Sequence, residues 1–380
     1  MKKAAPTIAS TSQRRASLVP GTVVPFGRPP RRAESLSRLH ISGKAAPTPP
    51  GEARDVCESW HPMATASTPP PTALPTRLTV KVGLAWNPFD REAVPGPRFW
   101  KAVELMEELG YDSLWLSDTA TRPGPAPLPV LAAVAARTER LKLGTSVLVA
   151  PPRQSVLLAK ELATLDALSA GRFLPAFGLG LDIPEELAAL GIPREERVAR
   201  LVETMAVLRM LWPGEPVDFE GRFVKLEGTQ LVPRPLRRKL EIWLGGASAP
   251  ALRRVGRSAD GWLASFVSPE GFALGVAAIR AAAAEAGRTI DEDHYGTFVF
   301  AADTPADVPR FAALSVSHSE GLRSEDHVAV GSAALAPLLQ RFRDGGGTKF
   351  VVVPLAREAR LLPFLRELKA EAVDPFEATA

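Results

Sequence analysis

The chain has 380 residues, and its 46 Lys and Arg against 42 Asp and Glu give a formal net charge of +4. Its hydrophobic fraction of 46% is ordinary for a soluble globular protein of one large domain or two ordinary ones. No run approaches the roughly 18 apolar residues of a membrane span, and a single cysteine, Cys57, excludes an internal disulfide framework. We therefore expect a cytoplasmic protein with no membrane partner.

The basic excess is confined to the start of the chain. The first 62 residues hold ten Lys and Arg and four Asp and Glu, which leaves 36 basic and 38 acidic residues, a balance of −2. The body therefore does not predict nucleic acid as a partner.

Residues 1–77 are rich in Pro, Ser, Thr, Ala and Arg without apolar periodicity, and we expect a disordered extension. Alternatively, translation starts at Met63. Export through Arg14-Arg15 is disfavoured because no hydrophobic stretch follows.

From residue 78 to residue 380 the chain alternates strand-like and helix-like runs. The predicted strands cover 79–87, 113–118, 141–149, 172–180, 241–246, 261–265, 297–301 and 349–353. The predicted helices cover 98–109, 129–138, 155–168, 194–212, 249–256, 269–286, 334–344 and 361–369. A β-hairpin near 215–230 stands outside the alternation as an insertion. The loops 88–97, 119–127, 181–193 and 303–330 are expected to be irregular and to carry substrate specificity.

Eight strands alternating with helices predict an α/β fold, a parallel (β/α)8 TIM barrel, with a doubly wound open sheet as the competing architecture. Active sites of such barrels lie at the C-terminal ends of the strands. The residues at those ends are Trp86, Asn87, Ser117, Asp118, Ser146, Val147, Gly178 to Gly180, Gly245 to Ser248, and Ser265. We expect Trp86 and Asn87 to line the substrate pocket. No metal site is predicted.

Several motifs follow one another in a specific order along this body. They are residues 102–118 (AVELMEELGYDSLWLSD), 143–149 (LGTSVLV), 158–172 (LAKELATLDALSAGR), 219–223 (FEGRF), 243–248 (WLGGAS) and 259–262 (ADGW). In these stretches the sequence resembles the luciferase-like flavin-dependent oxidoreductases, which include bacterial luciferase, alkane and sulfonate monooxygenases, and coenzyme F420-dependent enzymes. The resemblance extends from about Val80 to Leu368.

The resemblance implies an oxidoreductase that binds a flavin-type cofactor at the mouth of the barrel. Residues Gly144-Thr-Ser-Val match the deazaflavin (F420) subgroup, so hydride transfer between F420 and a small organic substrate is expected. One alternative is a monooxygenase that uses reduced FMN supplied by a separate reductase. Another is a non-catalytic flavin-binding barrel. Relatives of this barrel commonly form homodimers through helices near the second and third strands.

The resemblance also assigns the cofactor-binding residues. It implies a non-prolyl cis peptide at Ser146-Val147, which forms a bulge behind the cofactor ring; the alternative is an ordinary buried strand end. Gly178 and Gly180 would allow the backbone to approach the ring. In the turn Gly245-Gly246-Ala247-Ser248, backbone N–H groups at a helix N-terminus favour an anion, and the resemblance places the cofactor's phosphate or ribityl chain there. Alternatively, Ser248 is simply an N-cap.

The acid or base of the reaction is sought at the end of the second predicted strand. Asp118 is the candidate catalytic residue, with capping as the alternative. Many family members have Ser-Asp-His where this chain has Ser117-Asp118-Thr119, so the usual histidine is missing. The remaining histidines of the body, His294, His318 and His327, all come late in the chain. A histidine-driven alcohol oxidation would need one of them to reach the site from a loop.

Overall fold

The structure, a computed structural model, describes residues 79–86, 95–121, 123–237, 239–315 and 323–379, with backbone alone for residues 313–315. The predicted extension, residues 1–77, and the candidate residues Asn87 and His318 lie outside the described residues.

The described strands and α-helices follow the predicted alternation. The strands are β1 (Lys81–Ala85), β2 (Ser113–Leu116), β3 (Lys142–Thr145), β4 (Leu148–Val149), β5 (Phe173–Leu174), β6 (Ala176–Gly178), β7 (Val217–Glu220), β8 (Lys225–Thr229), β9 (Trp243–Gly245), β10 (Gly261–Ala264), β11 (Tyr295–Ala302), β12 (Val328–Val330) and β13 (Lys349–Leu355). The α-helices are α1 (Pro97–Leu109), α2 (Pro127–Ala135), α3 (Ser155–Leu168), α4 (Pro184–Ala189), α5 (Arg197–Leu211), α6 (Ala249–Ser258), α7 (Pro269–Glu285), α8 (Pro309–Ser315), α9 (Leu335–Asp344), α10 (Leu361–Leu368) and α11 (Asp374–Thr379).

The parallel sheet closes on itself. Strand β1 pairs with β13 on one side and with β2 on the other, and β2 pairs with β3. We call each of the eight strand positions of the barrel a stave. The third stave consists of β3 and β4, and the fourth consists of β5 and β6, because β3 pairs with β5 while β4 pairs with β6. Strands β6, β9, β10, β11 and β13 complete the ring through parallel pairs. The predicted (β/α)8 barrel is therefore confirmed, and β7 and β8 form the predicted antiparallel hairpin outside it.

Two strands that were predicted to be continuous are interrupted. The run 141–149 is divided at Ser146-Val147, and the run 172–180 is divided at Pro175. Proline lacks the N–H that a continuous ladder requires. The break at Ser146-Val147 agrees with the bulge that the resemblance implies. The apolar pattern alone does not reveal it, because the pieces on either side pair with the same neighbouring stave.

The loops predicted to be irregular contain regular structure. Helix α4 lies within 181–193, and α8 and β12 lie within 303–330. Helix α11 also continues the chain beyond the predicted end of the last helix. Strand β12 has three residues and exists because Val328 to Val330 pair with Phe300 to Ala302 of β11. Such a long-range pairing leaves no periodic signal in three residues.

Large side chains fill the barrel where a neighbouring stave carries glycine. The ring of Trp115 occupies the space beside Gly144, where an added Cβ would lie 2.1 Å from the ring. Trp243 is held in the same way, because Cβ atoms at Gly261 and Gly296 would lie 2.5 Å and 3.2 Å from its ring. The barrel is therefore a packed core, and ligands are restricted to its ends.

The N-terminal end of the barrel holds an ion cluster. Asp112 accepts hydrogen bonds from the ammonium groups of Lys142, at 2.9 Å, and of Lys349. Burial alone would raise the pKa of Asp112, but the two ammonium groups outweigh burial and lower it to about 2. The charged groups at the N-terminal end are therefore paired with one another, and we expect a ligand to bind at the C-terminal end.

Candidate functional site

The described candidate residues lie together at the C-terminal ends of the staves. Trp86 follows β1, Ser117 and Asp118 follow β2, and Ser146-Val147 separates β3 from β4. Gly178 ends β6, and the turn from Gly245 to Ser248 joins β9 to α6. The fold therefore brings to one mouth residues that span the 163 positions from 86 to 248 of the sequence, as the barrel prediction requires.

The Ser146-Val147 peptide bond is cis, which confirms the geometry expected from the resemblance. Hydrogen bonds to the second stave hold this bulge. The Ser146 N–H donates to the Leu116 carbonyl at 2.8 Å, and the Ser117 hydroxyl donates to the Ser146 carbonyl at 3.0 Å. The Ser146 hydroxyl oxygen is buried and has no hydrogen-bond partner among the described residues. Such an unsatisfied group is uncommon and calls for an explanation.

The side chain of Val147 packs on the hydrophobic cluster inside the barrel, next to one glycine of the fourth stave and one of the fifth. A Cβ added at Gly178 would lie 2.4 Å from its Cγ2, and one at Gly245 would lie 3.0 Å from its Cγ1. Gly180 has φ +78°, a left-handed conformation that favours glycine. Sequence reasoning assigned Gly178 and Gly245 to the cofactor and missed their contact with Val147.

The turn between β9 and α6 is exposed at the mouth. Gly246 has φ +104°, and its carbonyl accepts a hydrogen bond from the indole N–H of Trp262 at 2.8 Å. The N–H groups of Gly246, Ala247 and Ser248 donate to no acceptor in the described part of the chain. Ser248 is the N-cap of α6, but its Oγ accepts from the Ala251 N–H at 3.4 Å, a long bond. The turn thus presents free donors at a helix N-terminus, where anions bind.

Asp118 joins the second stave to the third. Its Oδ2 accepts from the Val149 N–H at 3.0 Å and from the Arg153 guanidinium at 2.7 Å. The Asp118 N–H donates to the Val147 carbonyl at 3.3 Å. The carboxylate is therefore at the mouth, as predicted, and holds the segment that follows the bulge. Arg153, in the loop between β4 and α3, is its ion-pair partner.

Trp86 is half-buried and packs against the hydrophobic core rather than standing free in the mouth. Its ring meets Phe99 of α1 edge to face, with centroids 5.0 Å apart. Its role in a substrate pocket stays a prediction. Ser265 follows β10, and its neighbour Phe266 has φ +55° and packs near Phe300 and Phe311.

Two histidines are described, and they lie at different ends of the barrel. His294 precedes β11 at the N-terminal end, where its Nε2 lies 3.0 Å from Glu241, so it cannot serve the mouth. His327 precedes β12 on the side of the mouth, is 1% exposed, and stacks on Phe311 with centroids 5.5 Å apart. Burial lowers the pKa of His327, which keeps the imidazole neutral.

A buried carboxylate near the mouth escaped sequence reasoning. Glu186 of α4 is 3% exposed and accepts a hydrogen bond from the Thr121 hydroxyl at 2.8 Å. It lines a narrow cleft together with Arg197 of α5 and the backbone at Gly180. The only available signal was its position in a loop after a barrel strand, which does not distinguish it from the adjacent Glu185.

Within the described residues, no group of three or more His, Cys, Asp or Glu side chains could hold a metal ion. None of the helices in the same ranges is long and apolar enough to cross a membrane.

Comparison with known proteins agrees with this fold. A family model described as luciferase-like monooxygenase matches residues 89–372. That match covers most of the chain, and the protein therefore belongs to the luciferase-like monooxygenase family.

Curated relatives and solved structures extend the comparison. The chain is 36% identical over 201 residues to an F420-dependent glucose-6-phosphate dehydrogenase of Nakamurella multipartita. The aligned region covers 49% of this chain and 58% of the relative. It is 35% identical over 213 residues to the enzyme of that name from Nocardia farcinica, with 52% and 62% covered. The chain thus spans less than two thirds of these curated relatives.

Solved structures match over a larger part of both chains. A monooxygenase, RslO1, from Streptomyces bottropensis gives a TM-score of 0.65 at 21% identity, covering 78% of this chain and 99% of that one. An F420-dependent secondary alcohol dehydrogenase in complex with an F420-acetone adduct gives a TM-score of 0.64 at 18% identity, covering 76% and 98%. At these identities the likeness establishes the fold.

Proposed function

We propose that this protein is an oxidoreductase that binds the deazaflavin F420 at the C-terminal mouth of its barrel and transfers a hydride between F420 and a small organic substrate. The observation that carries the proposal is the partnerless, buried Ser146 hydroxyl on the cis bulge, in the same mouth as the exposed N–H groups of Gly246 to Ser248. An apolar surface with a few convergent polar groups is what a flavin-type cofactor requires. The names of the curated relatives also support F420.

Each part of the mouth has a place in this proposal. The ring would lie against Ser146 and Val147, where the Ser146 hydroxyl gains a hydrogen-bond partner from the polar edge of the ring. Gly178 and Gly180 lie beside the bulge. The turn from Gly245 to Ser248 would hold the phosphate or ribityl chain through N–H groups and the dipole of α6. When bound, the deazaflavin supplies the hydride acceptor or donor, and the protein supplies orientation and exclusion of water.

Asp118 is proposed as a positioning residue and not as the acid or base. Its carboxylate already accepts hydrogen bonds from the Val149 N–H and the Arg153 guanidinium. These contacts fix the segment just after Val147 and therefore the surface on which the ring would lie. With Thr119 in place of the usual histidine, a sugar-phosphate or alcohol dehydrogenation would have to take its proton through another group.

A second candidate function is a monooxygenase that receives reduced FMN from a separate reductase. It is favoured by the family description and by the solved monooxygenases of the same fold, one of which is a type II Baeyer–Villiger monooxygenase in complex with FMN. A third is a flavin-binding barrel without catalysis.

The single cysteine fits a reducing compartment, and we propose a cytoplasmic location on that ground.

Titration of the purified protein with F420 and with FMN, followed by fluorescence, separates these candidates. We expect F420 to bind with a Kd of about 1 μM and FMN to bind more weakly. Replacing Ser146→Ala should weaken F420 binding by about five- to tenfold, because one hydrogen bond to the ring is lost. Preference for FMN would favour the monooxygenase, tight F420 binding without turnover on any substrate would favour the binder, and no binding of either would refute the cofactor assignment.

A further inference from the structure

Gly178 and Gly245 are glycines for a reason other than their backbone conformation. Gly180 and Gly246 have positive φ angles, so their conformation alone explains the residue type. Gly178 and Gly245 are not among the glycines with positive φ. An alanine would fit the backbone at both positions, and the constraint must therefore come from the surrounding space.

That space is filled by Val147. Its Cγ2 lies 2.4 Å from the position of a Cβ at Gly178, well inside the distance at which carbon atoms pack. Its Cγ1 lies 3.0 Å from the position of a Cβ at Gly245. The next atoms around the Gly245 position are carbonyl oxygens at 3.7 Å and 3.8 Å, which are ordinary contacts. Val147 is thus the only close neighbour at both positions among the described residues.

We infer that Gly178 and Gly245 are positioning residues whose missing side chains form a socket for the isopropyl group of Val147. The inference rests on the proposed function, in which the cofactor ring lies on Val147. The fourth stave contacts one γ-methyl group and the fifth stave contacts the other. The socket therefore fixes the position of Val147, the apolar surface on which the cofactor ring would lie. Neither glycine has to touch the cofactor to control its binding.

The distances rank the two positions. A methyl group at Gly178 must displace Val147, because packed interiors do not absorb an overlap of this size. A methyl group at Gly245 requires a shift of only a few tenths of an ångström. Gly178→Ala should therefore be the more damaging substitution. Val147→Ala removes both γ-methyl groups and should remove most of that cost.

A double-mutant cycle on Gly178→Ala and Val147→Ala tests the socket. The dissociation constant for F420 is measured by fluorescence titration, and the melting temperature is measured without cofactor. We expect Gly178→Ala to weaken F420 binding by about tenfold or more in the parent protein and by less than about twofold when Val147→Ala is also present. The melting temperatures should show coupling of the same sign. Gly271→Ala is the matched control, because its Cβ would meet nothing closer than 3.4 Å.

Equal loss of affinity from Gly178→Ala in both backgrounds would overturn the inference, because the glycine would then meet the cofactor directly. Coupling in melting temperature without coupling in affinity would also overturn it, since the contact would then be structural only. If Gly178→Ala does not fold, the same cycle is run with Gly245→Ala. If the parent protein binds no F420, the proposed function fails, and the melting-temperature cycle decides whether the socket holds Val147.

Discussion

At the scale of single residues, hydrogen bonds at the mouth decide which polar groups are committed to structure and which are available to a ligand. Asp118 is committed through Val149 and Arg153, whereas the Ser146 hydroxyl has no partner among the described residues. Buried polar groups are nearly always paired, so this contrast indicates which of the two faces the ligand.

Asp118→Asn and Asp118→Ala separate a positioning role from a catalytic one. Asparagine still offers an oxygen to the Val149 N–H, whereas alanine leaves that donor unpaired and leaves Arg153 with its hydrogen bond to the Val149 carbonyl alone. We expect Asp118→Ala to lower the free energy of unfolding by about 1–3 kcal/mol and Asp118→Asn to lower it less. Urea denaturation measures both. If Asp118→Asn keeps the stability and the F420 affinity but abolishes turnover, the carboxylate is catalytic after all.

His294 and Glu241 predict a pH dependence of stability. Burial lowers the pKa of His294, but the hydrogen bond and charge of Glu241, with the charges of Asp293 and Asp291, outweigh it and raise the pKa above 6.5. The stability from this shift is therefore complete below pH 6.5 and is lost as the pH rises through the raised pKa. The hydrogen bond to His294 lowers the pKa of Glu241 below 4.5. The stability that Glu241 contributes is therefore present above pH 4.5 and is lost as the pH falls through the lowered pKa.

We therefore expect the unfolding free energy of the parent protein to fall more between about pH 6 and pH 8 than that of His294→Asn. Urea denaturation at both pH values provides the comparison, and the variant removes this contribution while leaving His327 in place. Identical pH dependence in the two proteins would contradict the assignment.

At the scale of elements, two helices begin with the same cap in different surroundings. Helix α7 starts at Ser268, whose Oγ accepts from the Gly271 N–H at 3.1 Å, whereas the bond of Ser248 at the start of α6 is 3.4 Å long. The longer bond is the weaker one. Ser268 is therefore a fully hydrogen-bonded N-cap, whereas the hydroxyl of Ser248 is available to a ligand.

Ser248→Ala and Ser268→Ala form a matched pair. We expect Ser268→Ala to lower the unfolding free energy by about 1 kcal/mol and to leave F420 binding unchanged. Ser248→Ala should cost less stability but weaken F420 binding several-fold, because its hydroxyl stands at the proposed phosphate site. Thermal melts and fluorescence titrations of both variants test this. The opposite pattern would make Ser248 a plain cap.

At the scale of the whole molecule, the outer face of α2 and α3 carries an open apolar groove. Its lining residues are Ala126, Leu128, Pro129, Ala132, Arg153, Leu157, Lys160, Glu161, Thr164, Leu165 and Leu168. Leu157 and Leu168 are 62% and 61% exposed, which is unusual for leucine pairs on one helix face. The groove lies on the helices near the second and third strands, where the family resemblance led us to expect homodimer formation.

We expect the protein to be a dimer in solution and Leu157→Asp with Leu168→Asp to make it monomeric, because burying these side chains is what favours association. Sedimentation equilibrium measures the mass. Leu274→Asp is the control, since Leu274 is 73% exposed on α7, away from this face. A monomeric parent protein, or loss of the dimer in the control as well, would contradict the prediction.

The N-terminal extension is proposed to be dispensable for the barrel. Every described element lies at or beyond Lys81, where β1 begins. Deletion of residues 1–62 should leave the melting temperature within about 1 °C and F420 affinity unchanged, because the apolar alternation starts only at residue 78. A large drop in either quantity would show that the extension contributes to the folded body.

The sequence by itself determined the features that local chemistry encodes. Gly110 ends α1 in a left-handed conformation, and α3 spans Ser155–Leu168 as its periodicity predicts. The count of eight staves followed from the alternation, and the bulge was expected from the family resemblance that the motifs carry. These features are readable because helix periods, caps and turns depend on residues a few positions apart.

Only the tertiary structure decided the rest. The socket of Val147, the pairing of Asp118 with Arg153, the added strand β12 and the buried Glu186 each depend on residues from different staves or loops. Contacts across such distances leave no periodic trace in a single sequence. The same four glycines that sequence reasoning gave to a cofactor therefore divide, in the folded barrel, into two that permit a backbone conformation and two that make room for a valine.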